Sequence, residues 1–88
     1  MKIEFDPNKS TNNLKERGLS FQLVENFELE TAIIRIDTRK NYGEPRFNAL
    51  GYIENRLYHL TFTVRVDIIR IISLRKANKR EVNYYARN

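Results

Sequence analysis

Apolar and polar residues alternate with a period of two in the second half of the chain, and this period is typical of half-buried strands. The alternation predicts four strands, at residues 31–37, 46–53, 56–65 and 68–74. Residues 54–55 and 66–67 lie between the last three strands, where tight turns would connect them in an antiparallel meander. Residues 38–45 contain a glycine and a proline, so they are expected to form a mobile loop between the first two strands.

The N-terminal segment carries the start and stop signals of a helix. Asp6 followed by Pro7 matches the N-cap and first helical position, because the carboxylate accepts from a free backbone amide and proline has a preset φ angle. This helix is predicted to run to about Arg17 and to end at Gly18. Residues 2–6 alternate and are expected to form a short leading strand before it.

Two further helices complete the predicted secondary structure. Ser20 is expected to cap a short helix over residues 21–29. Its apolar face would consist of Phe21, Leu23, Val24 and Phe27. Residues 75–88 are predicted to close the chain as a helix. The pattern therefore indicates a single α+β domain over residues 1–88, with two N-terminal helices, an antiparallel meander sheet of about four strands and a C-terminal helix.

Two-residue turns would fix the register of the sheet and so assign side chains to its two faces. The count places residue 65 opposite 68, 63 opposite 70, 61 opposite 72, 59 opposite 74, 46 opposite 63, 48 opposite 61 and 50 opposite 59. One face is then apolar and forms the core, with Phe47, Ala49, Leu60, Phe62, Val64, Ile69 and Ile71. The other face is largely polar, with Arg46, Asn48, Tyr52, His59, Thr61, Thr63, Arg65 and Arg70, and with Ile68 and Ile72 between them.

The polar face contains a row of cationic side chains. On the counted register, Arg46, Thr63 and Arg70 share one row across three strands, and Arg65 lies one pair away. Guanidinium groups at this spacing repel one another unless an anion lies among them. Because arginine presents a planar fork that suits phosphate, the row predicts phosphate binding. The alternative is that Arg70 only pairs with a carboxylate, Glu44 or Asp67.

The charge of the chain is concentrated near its C-terminus. Residues 1–64 hold nine Lys and Arg against nine Asp and Glu, whereas residues 65–88 hold seven against two, which accounts for the net charge of +5. Such a segment favours a polyanion or an acidic partner, although a solvated basic helix would show the same pattern. There is no cysteine, one histidine and no apolar run long enough to span a membrane, so a cytoplasmic protein without cofactor or metal is expected.

The polar face favours phosphodiester chemistry that needs no metal ion. The carboxylates are scattered, and spacing brings no pair of them together, as a metal-dependent nuclease would require. RNA carries its own nucleophile, the 2′-OH, so a protein need supply only a base, an acid and cations. His59, Tyr42, Tyr52 and Tyr58 are the candidates for proton transfer.

Three ordered blocks of sequence carry a family resemblance. They are FDPNKSTNNLKERGLSF at residues 5–21, GEPRF at 43–47 and RIISLRKANKREVNYY at 70–85. In this order they resemble the BrnT-type toxins of bacterial type II toxin–antitoxin modules. The chain departs from the family pattern at Phe5, where Trp is usual, at Glu16-Arg17, where Lys-His is usual, and at Val66, where Gly is usual.

The resemblance implies a RelE-like fold and an RNA-cleaving toxin that stops translation. It implies catalytic roles for Arg46, Arg65, Arg70 and Arg75, to which His59 is added as a candidate from the residues themselves. Candidates for RNA binding are Lys76, Lys79, Arg80, Tyr52 and Thr63. The implied partner is a ribbon-helix-helix antitoxin, through which alone the toxin would reach DNA, as a toxin–antitoxin heterotetramer. Two alternatives remain: a non-catalytic module that binds RNA or a partner, and a degenerate toxin that binds only its antitoxin.

Overall fold

The first helix has the bounds and caps that the sequence predicts. In the computed structural model, which describes residues 2–88, helix α1 spans Pro7–Arg17. The Asp6 carboxylate accepts a hydrogen bond of 2.8 Å from the backbone N–H of Asn8 and so caps the helix. Gly18 ends the helix with a φ of 73°, a left-handed conformation that glycine adopts without strain.

The second predicted helix has a different type from the one expected. Residues Phe21–Asn26 form a 3₁₀ helix, and a further 3₁₀ turn follows at Leu29–Thr31. Buried side chains recur every third residue, at Phe21, Val24 and Phe27, which matches the three residues per turn of a 3₁₀ helix. The helix ends there because the backbone of Phe27 pairs with the sheet.

Within the described residues, five strands form one mixed sheet in the order β1-β5-β4-β3-β2. They are β1 (Lys2–Glu4), β2 (Ile33–Ile36), β3 (Phe47–Ile53), β4 (Arg56–Arg65) and β5 (Ile68–Lys76). The antiparallel meander from β2 to β5 is confirmed. The leading strand β1 also forms, but it pairs with β5 in parallel, so the expectation of about four antiparallel strands is only partly right. Alternation predicts a strand, but it does not identify the distant strand beside which it lies.

Both tight turns of the meander occur at the predicted positions. Glu54 and Val66 begin the turns with φ angles of 56° and 57°. Residues other than glycine rarely adopt this left-handed backbone conformation, and it is least favourable for a β-branched residue such as Val66. Glycine, which the BrnT-type pattern has at this position, would adopt the same conformation without strain.

The core lies between one face of the sheet and the layer formed by α1 and the 3₁₀ helix. From the predicted core set, Ala49, Leu60, Phe62 and Ile71 are buried. Phe47 and Ile69 are half-buried and pack against this cluster. Val64 is 49% exposed, so its assignment to the core is wrong. It lies next to the β4–β5 turn, at the end of the strand.

A β-bulge changes the register between β4 and β5. Near the turn, Thr63 pairs with Arg70 as predicted, but the register then shifts between Thr61 and Phe62. The predicted pairs 61–72 and 59–74 are therefore wrong, since Thr61 lies opposite Ser73 and His59 lies opposite Arg75. An extra residue in one strand reverses the faces of all side chains that follow it.

The C-terminal helix α2 spans Lys79–Ala86 and is shorter than the predicted 75–88. Residues 75–76 belong to β5 instead. The helix starts at Asn78, whose side chain accepts from the N–H of Glu81 at 2.8 Å. The Glu81 carboxylate accepts in return from the N–H of Asn78 at 2.9 Å, which completes a capping box. None of the helices within residues 2–88 is long and apolar enough to cross a membrane.

Asn13 connects α1 to the sheet, so its loss is expected to destabilise the fold. Its buried amide donates to the carbonyls of Leu19 at 2.8 Å and Leu74 at 2.9 Å. Asn13→Ala leaves both buried acceptors without this donor and should lower the free energy of unfolding by about 1–3 kcal/mol, as measured by urea denaturation. The matched control is Asn12→Ala, an exposed position in the same helix, which should change it by less than about 0.5 kcal/mol. Equal losses in the two variants would contradict this role.

Candidate active site

The face of the sheet opposite α1, which we call the open face, carries three rows of side chains. Cross-strand pairing gives these rows as Leu50–His59–Arg75, Arg35–Asn48–Thr61–Ser73, and Thr63–Arg70–Glu4. The predicted polar face is therefore confirmed near the turn, where Thr63 and Arg70 meet. The structure adds two neighbours that the register count did not include, Arg35 from β2 and Glu4 from β1.

The row nearest α2 brings two predicted catalytic residues together. His59 and Arg75 are cross-strand partners because the bulge moves Arg75 to the open face. Glu81, in the first turn of α2, accepts two hydrogen bonds from the Arg75 guanidinium at 2.8 and 2.9 Å. This bidentate pair fixes the plane of the guanidinium.

The ion pair changes the titration of both partners. The hydrogen bonds from Arg75, helped by the N–H of Asn78, lower the pKa of Glu81 to about 2, although burial opposes the shift. The same contact raises the pKa of Arg75 above its ordinary value. Both side chains are thus charged throughout the neutral pH range.

His59 is held in its neutral form at neutral pH. Burial is the largest cause that lowers its pKa, and the positive charge of Arg75 is the next, while Glu81 partly opposes them. The Nδ1 atom is buried and has no hydrogen-bond partner. A neutral imidazole retains a nitrogen that can accept a proton, so His59 can act as a base.

A cavity of about 270 Å³ opens beside His59, between the open face and α2. Its charged and polar walls consist of Arg35, Asp37, Thr38, Arg39, Asn48, His59, Glu81 and Tyr84. Ile33, Ile36 and Leu50 provide the apolar part of the lining. Arg35 lies over the ring of Tyr84, with its guanidinium carbon 5.0 Å from the ring centroid.

A second ion pair stands at the same cavity. Arg39 donates to the two carboxylate oxygens of Asp37 at 2.9 and 2.7 Å. The Asp37 side chain is 1% exposed, whereas that of Arg39 is 75% exposed. Hydrogen bonds from Arg39 hold the pKa of Asp37 well below its usual range, with a smaller contribution from Asn48. Asp37 therefore holds the Arg39 side chain in place, while most of that side chain stays exposed to solvent.

The predicted cationic row near the β4–β5 turn is compensated by a carboxylate. Arg70 pairs with Glu4 at 2.7 Å, and not with either of the carboxylates that the sequence suggested. Thr63, between Arg70 and the start of β3, is 1% exposed, and its hydroxyl is buried without a partner. Thr63, a predicted RNA-binding residue, is therefore buried beneath the surface of the open face.

Two further arginines at this end of the face also have partners. Arg65 pairs with Glu44 at 3.3 Å, which is a long and exposed contact. Arg46 lies over the ring of Tyr42 at 3.9 Å from its centroid. The repulsion expected within the cationic row is thus relieved by side chains of the protein itself.

The remaining predicted RNA-binding residues lie around α2. Tyr52 packs edge-to-face against Tyr85, with 5.5 Å between ring centroids, and so supports the helix. Three exposed cations, Lys76, Lys79 and Arg80, surround the start of α2.

Sequence reasoning missed several residues that the structure brings to the cavity. Arg39 lies in a connection whose conformation the sequence did not predict. Arg35 could have been found, because alternation along β2 places it on the face of Asn48. The contact of Glu81 with Arg75 depends on the bulge and on the packing of α2, and neither has a sequence signal.

Within residues 2–88, no three acidic, histidine or cysteine side chains form a group that could hold a metal ion.

The chain was compared with known proteins. A family model described as a ribonuclease toxin, BrnT, of type II toxin–antitoxin systems matches residues 5–81. The match covers the first two sequence blocks that carry the resemblance and most of the third. It includes every residue that lines the cavity except Tyr84. A search of curated proteins returned no match.

The titration of His59 tests the electrostatics of this site. As the chain has one histidine, its imidazole gives a single set of resonances, which can be followed by NMR. The midpoint of the His59 titration in the folded protein should lie below the ordinary histidine pKa of about 6.5. Arg75→Gln should raise the midpoint and Glu81→Gln should lower it, because each variant removes one of the two opposing charges.

Arg56→Gln, an exposed position at the start of β4, is the control and should leave the midpoint unchanged. Since the unfolded chain binds more protons between the folded midpoint and about pH 6.5, the free energy of unfolding should fall as pH decreases through this window. A midpoint that moves in the same direction in both charge variants would contradict the assigned geometry.

Proposed function

Because the chain belongs to the BrnT family of ribonuclease toxins from type II toxin–antitoxin systems, we propose that it cleaves RNA on its open face, beside His59 and Arg75. The family implies an RNA substrate and a cognate antitoxin. The observation that carries the proposed location is the pairing of a neutral histidine with a guanidinium at the edge of a cavity.

In the proposed reaction, His59 accepts the proton of the RNA 2′-OH. The 2′ oxygen then attacks the adjacent phosphorus, the bond from phosphorus to the 5′ oxygen breaks, and the departing 5′ oxygen takes up a proton from solvent water. Arg75 stabilises the extra negative charge of the pentacoordinate phosphorus, and Glu81 orients it. The products are a 2′,3′-cyclic phosphate, which can open to a 3′-phosphate, and a 5′-hydroxyl.

We further propose that this reaction needs no metal ion. The support is the arrangement of four acidic side chains at the cavity and on the open face, which face guanidinium groups instead of one another. Asp37 pairs with Arg39, Glu81 with Arg75, Glu4 with Arg70 and Glu44 with Arg65. A carboxylate committed to a guanidinium already has its oxygens occupied.

The arginines nearer the β4–β5 turn are proposed to bind phosphates that flank the cleaved one. His59 and Thr63 are four residues apart on β4, which corresponds to about 13 Å. Arg70, beside Thr63, is therefore better placed for a neighbouring phosphate than for the one that Arg75 contacts. Arg46 and Arg65 would contribute to the same phosphate-binding surface, and the buried Thr63 would lie beneath it.

The antitoxin is proposed to be a ribbon-helix-helix protein that approaches the basic side of the domain with acidic side chains. Lys76, Lys79 and Arg80 are exposed around the start of α2, beside the cavity, and support this location. The complex would be a heterotetramer in the cytoplasm, where the free toxin stops translation, and would contact DNA through the antitoxin alone.

One observation favours a second candidate function, RNA binding without cleavage. Arg65, Arg70 and Arg75 are each already paired with a carboxylate, and an RNA phosphate must compete with that carboxylate for their donors. A protein with such paired arginines could hold RNA weakly and leave it intact.

An RNA cleavage assay in EDTA, with and without ribosomes, tests the proposed function. The wild-type protein should cleave RNA and leave 2′,3′-cyclic phosphate or 3′-phosphate ends. Arg75→Ala should slow cleavage by on the order of 10²-fold, the usual effect of losing one donor to the transition state. His59→Ala should cause a loss of about 10²-fold or more, because the base is removed.

Arg56→Ala is the matched control for a lost arginine and should retain full activity, since it is exposed and does not line the cavity. Circular dichroism would verify that all variants are folded. Products with 5′-phosphate ends, or a loss of activity in EDTA, would contradict the metal-free mechanism. RNA binding without any cleavage would support the second candidate function.

Charge reversal around α2 tests the proposed antitoxin contact. The double variant Lys79→Glu, Arg80→Glu should slow association with the antitoxin, and the effect should shrink as salt rises past about 0.15 M, where screening acts over roughly 8 Å. Stopped-flow measurements of association and dissociation would show whether the effect is confined to association. The control is Lys9→Glu, Lys15→Glu on α1, which makes the same charge change on the helix that covers the other face. Equal slowing by the two double variants would show that only net charge matters.

A further inference from the structure

The cavity beside His59 contains a surface that suits a flat ring better than a phosphate. Tyr84 and the Arg35 guanidinium that lies over it are planar groups, and both line the cavity. Ile33 and Leu50 provide apolar contacts at its floor. A phosphate gains nothing from apolar or aromatic walls, whereas a nucleobase stacks on aromatic rings and on arginine planes.

A fixed polar group lies next to this surface, because Asn48 is the cross-strand partner of Arg35. The hydroxyl of Thr61 donates to Oδ1 of Asn48 at 2.9 Å, which orients the amide. The amide nitrogen is thereby directed away from Thr61. An amide hydrogen and one lone pair of Oδ1 remain for a ligand. An amide held in this way presents a donor and an acceptor in a defined direction.

The size of the cavity is consistent with one such ring. Its volume of about 270 Å³ is slightly below the range of about 300–1,000 Å³ that is typical of sites for drug-sized ligands. A single nucleobase is smaller than a drug-sized ligand, so the cavity can accommodate one base.

We propose that this cavity binds one nucleobase of the RNA, stacked against Tyr84 and Arg35 and hydrogen bonded to Asn48. The inference rests on the proposed function in that RNA is the substrate and that cleavage occurs at the neighbouring His59. Bound there, the base places its nucleotide next to Arg75 and determines which phosphate is cut. Stacking accepts every base, so the choice among bases comes from Asn48.

Binding of mononucleotides tests the inference without requiring cleavage. The probes are the 5′-monophosphates of adenosine, cytidine, guanosine and uridine, with inorganic phosphate as the comparison. Amide resonances around Asn48 and Tyr84 are followed by NMR at each concentration. At least one nucleotide should bind more tightly than phosphate by about tenfold or more, the scale of one stacked base.

Two variants of Tyr84 separate stacking from a general effect on the fold. Tyr84→Leu should weaken nucleotide binding about tenfold, while phosphate binding should stay unchanged. Tyr84→Phe keeps the ring and should bind nucleotides as the wild type does. If Tyr84→Leu binds nucleotides normally, or if phosphate alone gives the same shifts with the same affinity, the inference is overturned.

Cleavage patterns give an independent readout where the protein is active. Asn48→Ala should flatten the base preference at the cleaved position, and Tyr84→Leu should raise KM more than it lowers kcat. An unchanged base preference in Asn48→Ala would count against recognition of the base by Asn48. If the amide resonances of the cavity residues shift with the antitoxin but with no nucleotide, the inference is overturned in favour of a protein interface. Nucleotide binding without RNA cleavage would leave the inference intact and refute only the proposed function.

Discussion

The bulge in β5 is the constraint on which the site depends. Up to Ile71, alternation along this strand follows the count from the turn, and the extra residue then moves Leu74 into the core, where it is fully buried. The same step turns Arg75 to the open face, opposite His59. A regular strand would have exposed a leucine beside His59 and buried an arginine, and burial of an unpaired charge is among the most costly errors a fold can contain. The bulge therefore both buries Leu74 and places the Arg75 guanidinium on the open face.

Electrostatic compensation is the second organising feature of the open face. Its cations are not left to repel one another, since Arg70 and Arg75 each contact a carboxylate from a different element of the fold. Partly exposed pairs of this kind contribute little to stability in water, because solvent screens them. Their effect is on geometry, because each pair holds a guanidinium in a fixed orientation. In the proposed function, an RNA phosphate would have to share or displace the carboxylate, so RNA binding would be sensitive to that competing charge.

Helix α2 connects the site to the rest of the fold. Glu81 completes the capping box in the first turn of the helix and also accepts from Arg75, so loss of order in the helix would disturb the contact with Arg75. At the other end, the Tyr85 hydroxyl donates to the carbonyl of Thr31 at 2.8 Å and anchors the helix near β2. Tyr84 lies between these two attachments, at the cavity. Fraying of this short helix would therefore disturb the proposed base-binding and catalytic residues together.

The sequence by itself determined the elements whose signals are local. The Asp6 cap, the Gly18 stop, the meander and its turns follow from residue types at adjacent positions, because capping and alternation depend on neighbours only. Three ordered blocks also determined the family, which the match over residues 5–81 shows. Tertiary structure decided the 3₁₀ form of residues 21–26 and the parallel strand β1, as well as the bulge. Each of these depends on packing between segments that are distant in sequence, and so the meeting of Arg75, Glu81 and His59 became visible only in the folded chain.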